Sequence, residues 1–250
     1  MNHSVSKPLR ICLWSGPRNV STALMYSFAQ RSDTRVVDEP LYAHYLKLSG
    51  AEHPGRETVL ENSDCNAKRV IRDVILGEVD QPVLFLKQMA HHLLDVPRDF
   101  MTHTCNLILT RDPHEVLPSL SVQLGIPNLS DTGYRIQTEL LADLGSSGQQ
   151  VQVLDARELL LNPPAVLAEL SQRIGIDFEP AMLEWSAGPR DFDGIWAPWW
   201  YQNVHRSTGF IPYAEKSMEF PEQLEKLLTE CLPHYEILHS AAIKSPFRLN

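Results

Sequence analysis

Short runs of apolar residues alternate along the chain with segments whose apolar positions recur at helical spacing. Five of these runs predict strands: Leu9–Trp14, Thr34–Val37, Val83–Leu86, Asn106–Thr110 and Val151–Leu154. Runs that are almost continuously apolar, and that end at Gly, Pro or charged residues, are typical of strands buried on both faces of a parallel sheet.

Helical periodicity fills the segments between the predicted strands. The clearest amphipathic helix is Asp131–Leu144, and further helices are predicted from Val20, at Tyr42–Leu48, at Ala67–Leu76, after Pro113, at Pro164–Ile174 and around Glu222–Leu232. Strands that alternate with helices predict an α/β fold, with a central parallel sheet of about five strands and helices on both faces. In such sheets ligands bind beyond the carboxyl ends of the strands.

The length of 250 residues, with 43% hydrophobic residues, allows one large core or two modest ones. The sequence contains no linker, internal repeat or low-complexity segment, so we expect residues 1–250 to form one domain. The segment from about 187 to 250 is loop-rich and aromatic, with Trp196, Trp199, Trp200 and Tyr201 close together. Such a cluster is typical of a packed lid or core corner, and it would also make a wall for a hydrophobic or sugar ligand.

The charge and the cysteines exclude several classes of protein. A formal charge of -9, from 22 Lys+Arg against 31 Asp+Glu, gives no general attraction to polyanions, so nucleic acid is disfavoured as the main partner. Four dispersed cysteines without a CxxC pair indicate free thiols in a reducing compartment. No apolar run approaches the roughly 18 residues of a membrane span, and we expect a cytoplasmic location.

The turn after the first strand carries the most informative chemistry. A loop that enters a helix presents free N–H groups and the positive end of the helix dipole, which favour an anion. Here Gly16 permits a tight turn, Arg18 supplies one cation, and hydroxyl groups follow; the loop consists of Ser15, Gly16, Pro17, Arg18, Asn19, Val20, Ser21 and Thr22. It lacks the second Gly and the Lys of the GxxxxGK[ST] nucleotide loop. Taken alone, the turn fits equally well a helix capped by Ser21 with Arg18 in solvent.

Charged residues also follow the second and third predicted strands. Asp38 and Glu39 lie at the end of the second strand, and Lys87 follows the third. If the strand geometry continues, the two carboxylates point in opposite directions, so that Asp38 is structural and Glu39 is the candidate for chemistry. Lys87 is either a strand terminus that reaches solvent or a second cation at an anion site.

The exit of the fourth strand adds an arginine and a serine. Arg111 comes directly after the strand, and Ser119 lies about two helical turns further on. A guanidinium and a hydroxyl can hold one phosphate together, whereas a lone Arg111 would typically pair with Asp112. His91 and His92 lie on a predicted short helix, and no second pair of ligands with suitable spacing supports a metal site.

Five features of the sequence, taken in their order along the chain, resemble those of the P-loop sulfotransferases, which use 3'-phosphoadenosine 5'-phosphosulfate (PAPS). They are SGPRNVST, the acidic residue after the second strand, the lysine after the third, RDPHEVLPS, and LDARELLLNPPAVLAELSQRIGI. The resemblance implies a single P-loop-type domain whose first loop binds the 5'-phosphosulfate. It also implies that Arg111 and Ser119 bind the 3'-phosphate, and that a late basic loop with Arg206 and Gly209 closes over the nucleotide.

The sequence departs from the family pattern at two positions, and these departures change which residues the resemblance implies to be catalytic. Arg18 replaces the lysine of the first loop, and Met89 stands where one branch of the family has its catalytic histidine. Glu39 is therefore the expected base, with His91 and His92 in reserve.

The expected reaction moves a sulfuryl group from PAPS to a hydroxyl, or amine, of a small molecule. Arg18 and Lys87 would stabilise the developing charge, 3'-phosphoadenosine 5'-phosphate (PAP) would be the product, and no metal is expected. The alternatives are a nucleotide-kinase-type phosphotransferase and a non-catalytic PAP-binding or nucleotide-binding protein.

Overall fold

A computed structural model describes residues 7–215 and 219–246, which contain a five-stranded sheet. The strands are β1 (Leu9–Ser15), β2 (Thr34–Asp38), β3 (Val83–Met89), β4 (Cys105–Thr110) and β5 (Gln152–Asp155). Their order is β2-β3-β1-β4-β5, and each neighbouring pair is parallel. All five carboxyl ends therefore lie along one edge of the sheet.

Helices connect and cover the strands. In chain order they are α1 (Ser21–Phe28), α2 (Tyr42–Ser49), α3 (Arg56–Asn62), α4 (Ala67–Val70), α5 (Pro113–Leu124), α6 (Leu129–Thr132), α7 (Tyr134–Ser146), α8 (Ala156–Leu161), α9 (Pro163–Ile174), α10 (Ala197–Trp200), α11 (Gln202–His205) and α12 (Glu225–Ala241). A π-helical turn at Ile71–Ile75 continues α4, and 3-10 turns lie at Ala90–His92, Asp99–His103, Pro180–Leu183 and Glu222–Leu224. None of the helices in the described residues is long and apolar enough to cross a membrane.

Both faces of the sheet are buried. On β1, Cys12 and Trp14 belong to a core shared with α7 and α12, whereas Ile11 and Leu13 belong to a core shared with α1 and α9. All four side chains are fully buried, because alternate residues of a strand point to opposite faces. The predicted α/β fold, with a parallel sheet of five strands covered on both faces, is confirmed.

Two predicted elements differ from the structure in ways that matter for the site. β3 continues to Met89, so Lys87 lies within the strand, opposite Leu13 of β1 and Asp38 of β2, and not after the strand's end. The predicted helix Asp131–Leu144 is divided into α6 and α7, because Gly133 adopts a left-handed conformation with φ 80°.

Candidate functional site

A cavity of about 490 Å³ lies at the carboxyl ends of β1, β2 and β3. From the predicted site it is lined by Gly16, Pro17, Arg18, Asn19, Ser21, Thr22, Glu39 and Lys87. The other predicted residues, which are Ser15, Val20, Arg111, Ser119, Arg206 and Gly209, do not line it. The structure thus brings most of the first loop, the candidate base and the strand lysine into one cavity.

Residues 15–22, which we call the anion loop, are held in a tight turn by close backbone packing. A Cβ on Gly16 would lie 2.9 Å from the backbone oxygen of Thr132, so a side chain there would displace one of the two segments. Asn19 ties the loop to β4, because its Nδ2 donates to the backbone oxygen of Leu109 at 3.0 Å. Its Oδ1 accepts from the backbone N–H of Val20 at 2.8 Å.

The start of α1 remains available to a ligand. No side chain among the described residues caps this helix, and the hydroxyls of Ser21 and Thr22 have no hydrogen-bond partner in the described part of the chain. Ser21 therefore does not act as the helix cap that the turn alone would allow. Free N–H groups and two hydroxyls at the edge of a cavity form the donor set that an anionic group requires.

Arg18 joins the anion loop to the exit of β4. Its backbone is left-handed, with φ 54°, and its Nε donates to Ser119 Oγ at 2.8 Å. Arg111 donates from Nη1 to the backbone oxygen of Arg18 at 3.0 Å. Burial, and to a smaller degree the charge of Arg111, lowers the pKa of Arg18, but an arginine remains charged. The two residues predicted to bind a phosphate, Arg111 and Ser119, therefore both contact Arg18, the cation of the loop.

Arg111 pairs with a neighbour other than the one expected. Its Nη2 lies 2.6 Å from Oε2 of Glu115, four residues along α5, instead of bonding Asp112. Asp112 caps α5 by accepting from the backbone N–H of His114. Glu115 also accepts from the hydroxyl of Tyr213 at 2.9 Å. A 3'-phosphate at Arg111 would compete with Glu115 for the same donors.

A buried charge cluster borders the cavity. It consists of the side chains of Asp38, Glu39, Lys87 and Tyr201, of which the last three line the cavity. Lys87 Nζ donates to Asp38 Oδ1 at 3.0 Å, to the Tyr201 hydroxyl at 2.7 Å, and to Glu39 Oε1. Tyr201 in turn donates to Asp38 Oδ2 at 2.7 Å. Lys87 is 1% exposed, so its three donors are satisfied within the protein and not by solvent.

The two carboxylates meet at Lys87 because the chain leaves the strand at Glu39. Glu39 has φ 37°, a left-handed conformation that breaks the alternation of an extended strand. The expectation that Asp38 and Glu39 point in opposite directions is therefore wrong. Asp38 also accepts from the backbone N–H of Gly194 at 2.9 Å, which anchors the C-terminal aromatic segment to the end of β2.

Within the cluster, the surroundings favour the charged form of Lys87 and the protonated form of Glu39 relative to exposed side chains of the same type. Burial lowers the pKa of Lys87, but the charges and hydrogen bonds of Asp38 and Glu39 outweigh it, so the pKa of Lys87 is raised. Burial raises the pKa of Glu39; Lys87 opposes this change, and the charge of Asp38 adds to it. Burial, with the two carboxylates, raises the pKa of Tyr201 far above its ordinary value, so it remains a hydrogen-bond donor.

The reserve histidines lie among aromatic rings. The ring of His92 stacks on Tyr42 and on Tyr45, with centroids 5.0 Å and 4.7 Å apart, and its Nδ1 is 3.9 Å from Glu39 Oε2. Burial lowers the pKa of His91 to about 3, and it lowers the pKa of His92 well below its ordinary value. Both imidazoles are therefore neutral near pH 7, and both line the cavity.

The outer part of the cavity contains residues that sequence reasoning missed. Among them are Tyr42, Tyr45, Glu52, His53 and Asp131. Trp196, Trp200 and Tyr201 of the aromatic segment also line the cavity, whereas Trp199 packs on Gly55, where a Cβ would lie 2.3 Å from its ring. The spacing of Tyr42 and Tyr45, three residues apart on a helix that follows the acidic pair, was the available signal.

The late basic loop lies apart from the main cavity lining. Arg206 is exposed and donates to Asn203 Oδ1 at 2.9 Å. Arg206 and Gly209 line a second, more open cavity of about 590 Å³. Gly209 pairs with Glu184 in an isolated bridge. Their assignment to the nucleotide remains a prediction.

No metal centre is found within residues 7–215 and 219–246: no group of three or more His, Cys, Asp or Glu side chains there is arranged to hold a metal ion. The cavity offers hydrogen-bond donors for an anion, one arginine and a buried carboxylate, side by side. This combination can bind a phosphate or sulfate group and remove a proton from a molecule beside it.

Three solved structures have a similar fold. A sulfotransferase domain from the curacin biosynthetic pathway is 14% identical with a TM-score of 0.53, and covers 89% of this chain and 97% of that one. A sulfotransferase domain from the Synechococcus PCC 7002 olefin synthase is 16% identical with a TM-score of 0.55, over 89% and 94% of the two chains. A sulfotransferase from Alicyclobacillus acidocaldarius is 15% identical with a TM-score of 0.53, over 94% and 96%. At these identities the likeness shows the fold.

Sequence comparison adds closer relatives and the family itself. Two proteins of Arabidopsis thaliana are similar: branched-chain-amino-acid aminotransferase-like protein 1, 40% identical over 94% of this chain, and protein 2, 39% identical over 90%. The chain spans about two fifths of their length, 42% and 40% respectively. The family model described as a sulfotransferase domain matches residues 9–242, a range that contains all five strands of the sheet and the helices α1 to α12. The chain therefore belongs to the sulfotransferase domain family.

Proposed function

We propose that this protein is a PAPS-dependent sulfotransferase that sulfates a hydroxyl, or an amine, of a small molecule. The observation that carries the proposal is the single cavity in which the anion loop and Arg18 lie beside the buried carboxylate of Glu39. An anion site for the donor and a base for the acceptor are the two functions that sulfuryl transfer requires.

The residues at the anion loop fit the phosphosulfate of the donor. The free N–H groups at the start of α1, the hydroxyls of Ser21 and Thr22, and the Arg18 guanidinium would hold its charged oxygens. Gly16 lets the loop pass close to Thr132, because a Cβ at this position would lie 2.9 Å from that residue's backbone oxygen. Arg111 and Ser119 would hold the 3'-phosphate, and their contacts with Arg18 support a phosphate site next to the loop. PAPS, when bound, supplies the sulfuryl group.

Glu39 would act on the acceptor. Its carboxylate would take the proton of the acceptor hydroxyl while the acceptor oxygen forms the new O–S bond, and the S–O bond to the phosphate of PAPS breaks with its electrons remaining on PAP. A carboxylate with a raised pKa is a stronger base than an exposed one. Arg18 would stabilise the charge that grows on the leaving phosphate.

Lys87 would contribute mainly by setting the state of Glu39. Its three donors are already bound to Asp38, Glu39 and Tyr201, so direct contact with the sulfuryl group would require it to exchange one of these partners. Its charge lowers the pKa of Glu39 against the effect of burial and so favours the ionised form of the base. Of the three residues expected to be catalytic, the geometry therefore favours direct roles for Glu39 and Arg18.

Two experiments separate this proposal from its alternatives. Calorimetric titration with PAP and with ATP, each with and without Mg²⁺, should show PAP binding that needs no divalent cation. Tight ATP binding that depends on Mg²⁺ would favour a nucleotide kinase instead. Turnover of PAPS with a panel of phenols and alcohols, followed by mass spectrometry, distinguishes an enzyme from a protein that only binds the nucleotide.

Location and metal use remain predictions. The four cysteines are unpaired, which supports a reducing, cytoplasmic compartment. We expect activity to survive a chelator, because Arg18 and the start of α1 provide the positive charge that a metal would otherwise supply.

A further inference from the structure

The outer half of the cavity has a surface of its own, formed by four half-buried rings that we call the acceptor wall: Tyr45, His53, His91 and Trp200. Tyr45 contacts His91 and His53, with centroids 5.0 Å and 6.0 Å apart. Trp200 extends the wall, with its ring centroid 5.8 Å from that of His53. Because these rings are only half-buried, part of each remains free to contact a ligand.

Two carboxylates lie at the edge of this wall. Glu52, next to His53 in the chain, is exposed and lines the cavity, and Asp131 at α6 lines it as well. Neither forms a salt bridge with any described residue; Asp131 only accepts a backbone hydrogen bond from Asn128, at 2.8 Å. The charge of Asp131 reaches the wall, because it adds to the effect of burial in raising the pKa of Tyr45.

No described cation balances these carboxylates on the acceptor side. The cavity's two cationic residues are Arg18, which belongs to the anion loop, and Lys87, whose donors are all bound within the charge cluster. The wall histidines are neutral near pH 7, since burial lowers the pKa of His91 to about 3 and also lowers that of His53. The acceptor half of the cavity is therefore negative and rich in aromatic faces.

We propose that the acceptor is a hydroxyl compound with an ammonium group, held by cation–π contact with the acceptor wall and by Glu52 and Asp131. This inference rests on the proposed function and gives its substrate class. Aromatic faces attract a cation, and nearby carboxylates strengthen the attraction, whereas an acceptor carboxylate would meet two like charges and no free cation. The hydroxyl end would point to Glu39, which lines the same cavity.

Matched compounds test the charge without changing the shape. Tyramine, 4-propylphenol and 3-(4-hydroxyphenyl)propionate present the same phenol and two-carbon spacer with an ammonium, a methyl or a carboxylate end. Choline and 3,3-dimethylbutan-1-ol are nearly isosteric alcohols, of which only choline is charged. We expect kcat/KM for tyramine to exceed that for the propionate by at least about tenfold, and choline to exceed its neutral partner, with both ratios falling as salt is added.

Substitutions of Glu52 and Asp131 test whether these carboxylates cause the preference, with the same kcat/KM ratios as the measurement. Glu52→Gln with Asp131→Asn should reduce the tyramine to propionate ratio severalfold, and the asparagine keeps an oxygen for the backbone of Asn128. Glu52→Gln alone is a second test, since the residue is exposed and the fold does not depend on it. Glu61→Gln, an exposed acid of α3 outside the cavity, is the control and should leave the ratio unchanged.

Binding of choline and its neutral partner to the PAP-saturated protein, measured by calorimetry, keeps the test independent of turnover. Sulfation of all the phenols without preference for the ammonium would overturn this inference and leave the proposed function intact. A binding preference for choline without any sulfation would support the ammonium site and reject sulfuryl transfer. An absence of both, or a ratio that survives the double substitution, would overturn the ammonium site.

Discussion

Glu39 is the residue whose substitution tests the proposed reaction most directly. Glu39→Gln keeps the size of the side chain and a hydrogen bond to Lys87, but it cannot take a proton, so turnover should fall by about 10²–10⁴-fold. PAP affinity, measured by calorimetry, should barely change, because the proposed role of this carboxylate is to act on the acceptor and not to hold the nucleotide. His91→Asn and His92→Asn are the comparison. If one of these variants loses turnover while Glu39→Gln keeps near-normal turnover, the base is a histidine of the turn after β3 and not Glu39.

The charges around Glu39 predict how activity depends on pH. Burial raises the pKa of Glu39. As the pH is lowered, kcat/KM should therefore begin to fall at a higher pH than the range in which an exposed carboxyl titrates. Asp38→Asn removes a negative charge that raises this pKa, so the acidic limb should move to lower pH. Lys87→Met removes a charge and a hydrogen bond that lower it, and the limb should move to higher pH.

The measurement is kcat/KM for one acceptor across pH in the parent and both variants, with Glu61→Gln as the control that should not shift. Shifts in the same direction for Asp38→Asn and Lys87→Met would contradict the assignment of the acidic limb to Glu39. The opposite signs matter more than their size, because a general loss of stability would not produce them.

Side-chain positions of this kind are the part of the site that the sequence could not predict. The acidic pair and Lys87 are visible as charges at the ends of apolar runs, but their contact depends on the left-handed backbone of Glu39 and on the extra residues of β3. The acceptor wall collects residues from α2, from α10, from the loop that contains His53 and from the 3-10 turn Ala90–His92, and only tertiary packing brings them together. Local spacing carries no signal for such a set.

Among the elements, the anion loop makes a steric demand that a single substitution can test. Gly16→Ala would place a Cβ 2.9 Å from the backbone oxygen of Thr132, and because neither segment is a flexible side chain, one must move. We expect a loss of unfolding free energy of about 1–3 kcal/mol, together with weaker PAP binding as the loop shifts. Denaturant unfolding and calorimetry measure the two effects.

Gly145→Ala is the matched control for that change. Gly145 lies within α7, and a Cβ there would have nothing within 4 Å, so alanine should leave stability equal or slightly higher and PAP binding unaffected. A Gly16→Ala protein with the stability and the PAP affinity of the parent would show that the loop does not depend on its close approach to Thr132.

At the scale of elements the sequence was a good guide, for physical reasons. The inner strands β1, β3 and β4 are buried on both faces along most of their length, so their apolar runs are nearly continuous and easily recognised. The edge strand β2 has fewer apolar residues and leaves Arg35 exposed. The helices were harder to bound: Gly133 divides a periodic segment into α6 and α7, while α5 continues through Pro118. A hydrophobic period records which face is buried, but not a single left-handed residue within it.

At the scale of the whole molecule, the family assignment covers residues 9–242, and a ligand that binds only the folded chain should stabilise it as a unit. PAP at about 100 times its Kd contributes about 2.7 kcal/mol. For a domain of this size that corresponds to a rise in Tm of about 5–10 °C. The rise should persist in a chelator, and its loss there would favour a metal-dependent nucleotide site.

The last prediction concerns the 3'-phosphate, which distinguishes PAP from adenosine 5'-phosphate. Arg111 and Ser119 lie against Arg18, so a charge-assisted contact there should make PAP bind at least about tenfold more tightly than adenosine 5'-phosphate. Arg111→Ala should remove most of that difference in affinity. It also releases Glu115 from its pair at 2.6 Å, although Tyr213 still donates to that carboxylate.

Because Arg111→Ala disturbs this pair, the measured quantity should be the difference between the Tm shifts with the two nucleotides, not Tm itself. Arg135→Ala is the matched control, since Arg135 faces Glu139 in another i,i+4 pair, on the exposed side of α7. We expect the control to keep the full difference between PAP and adenosine 5'-phosphate. Equal shifts for the two nucleotides in the parent protein would reject the assignment of Arg111 and Ser119 and leave the anion loop as the remaining candidate for phosphate recognition.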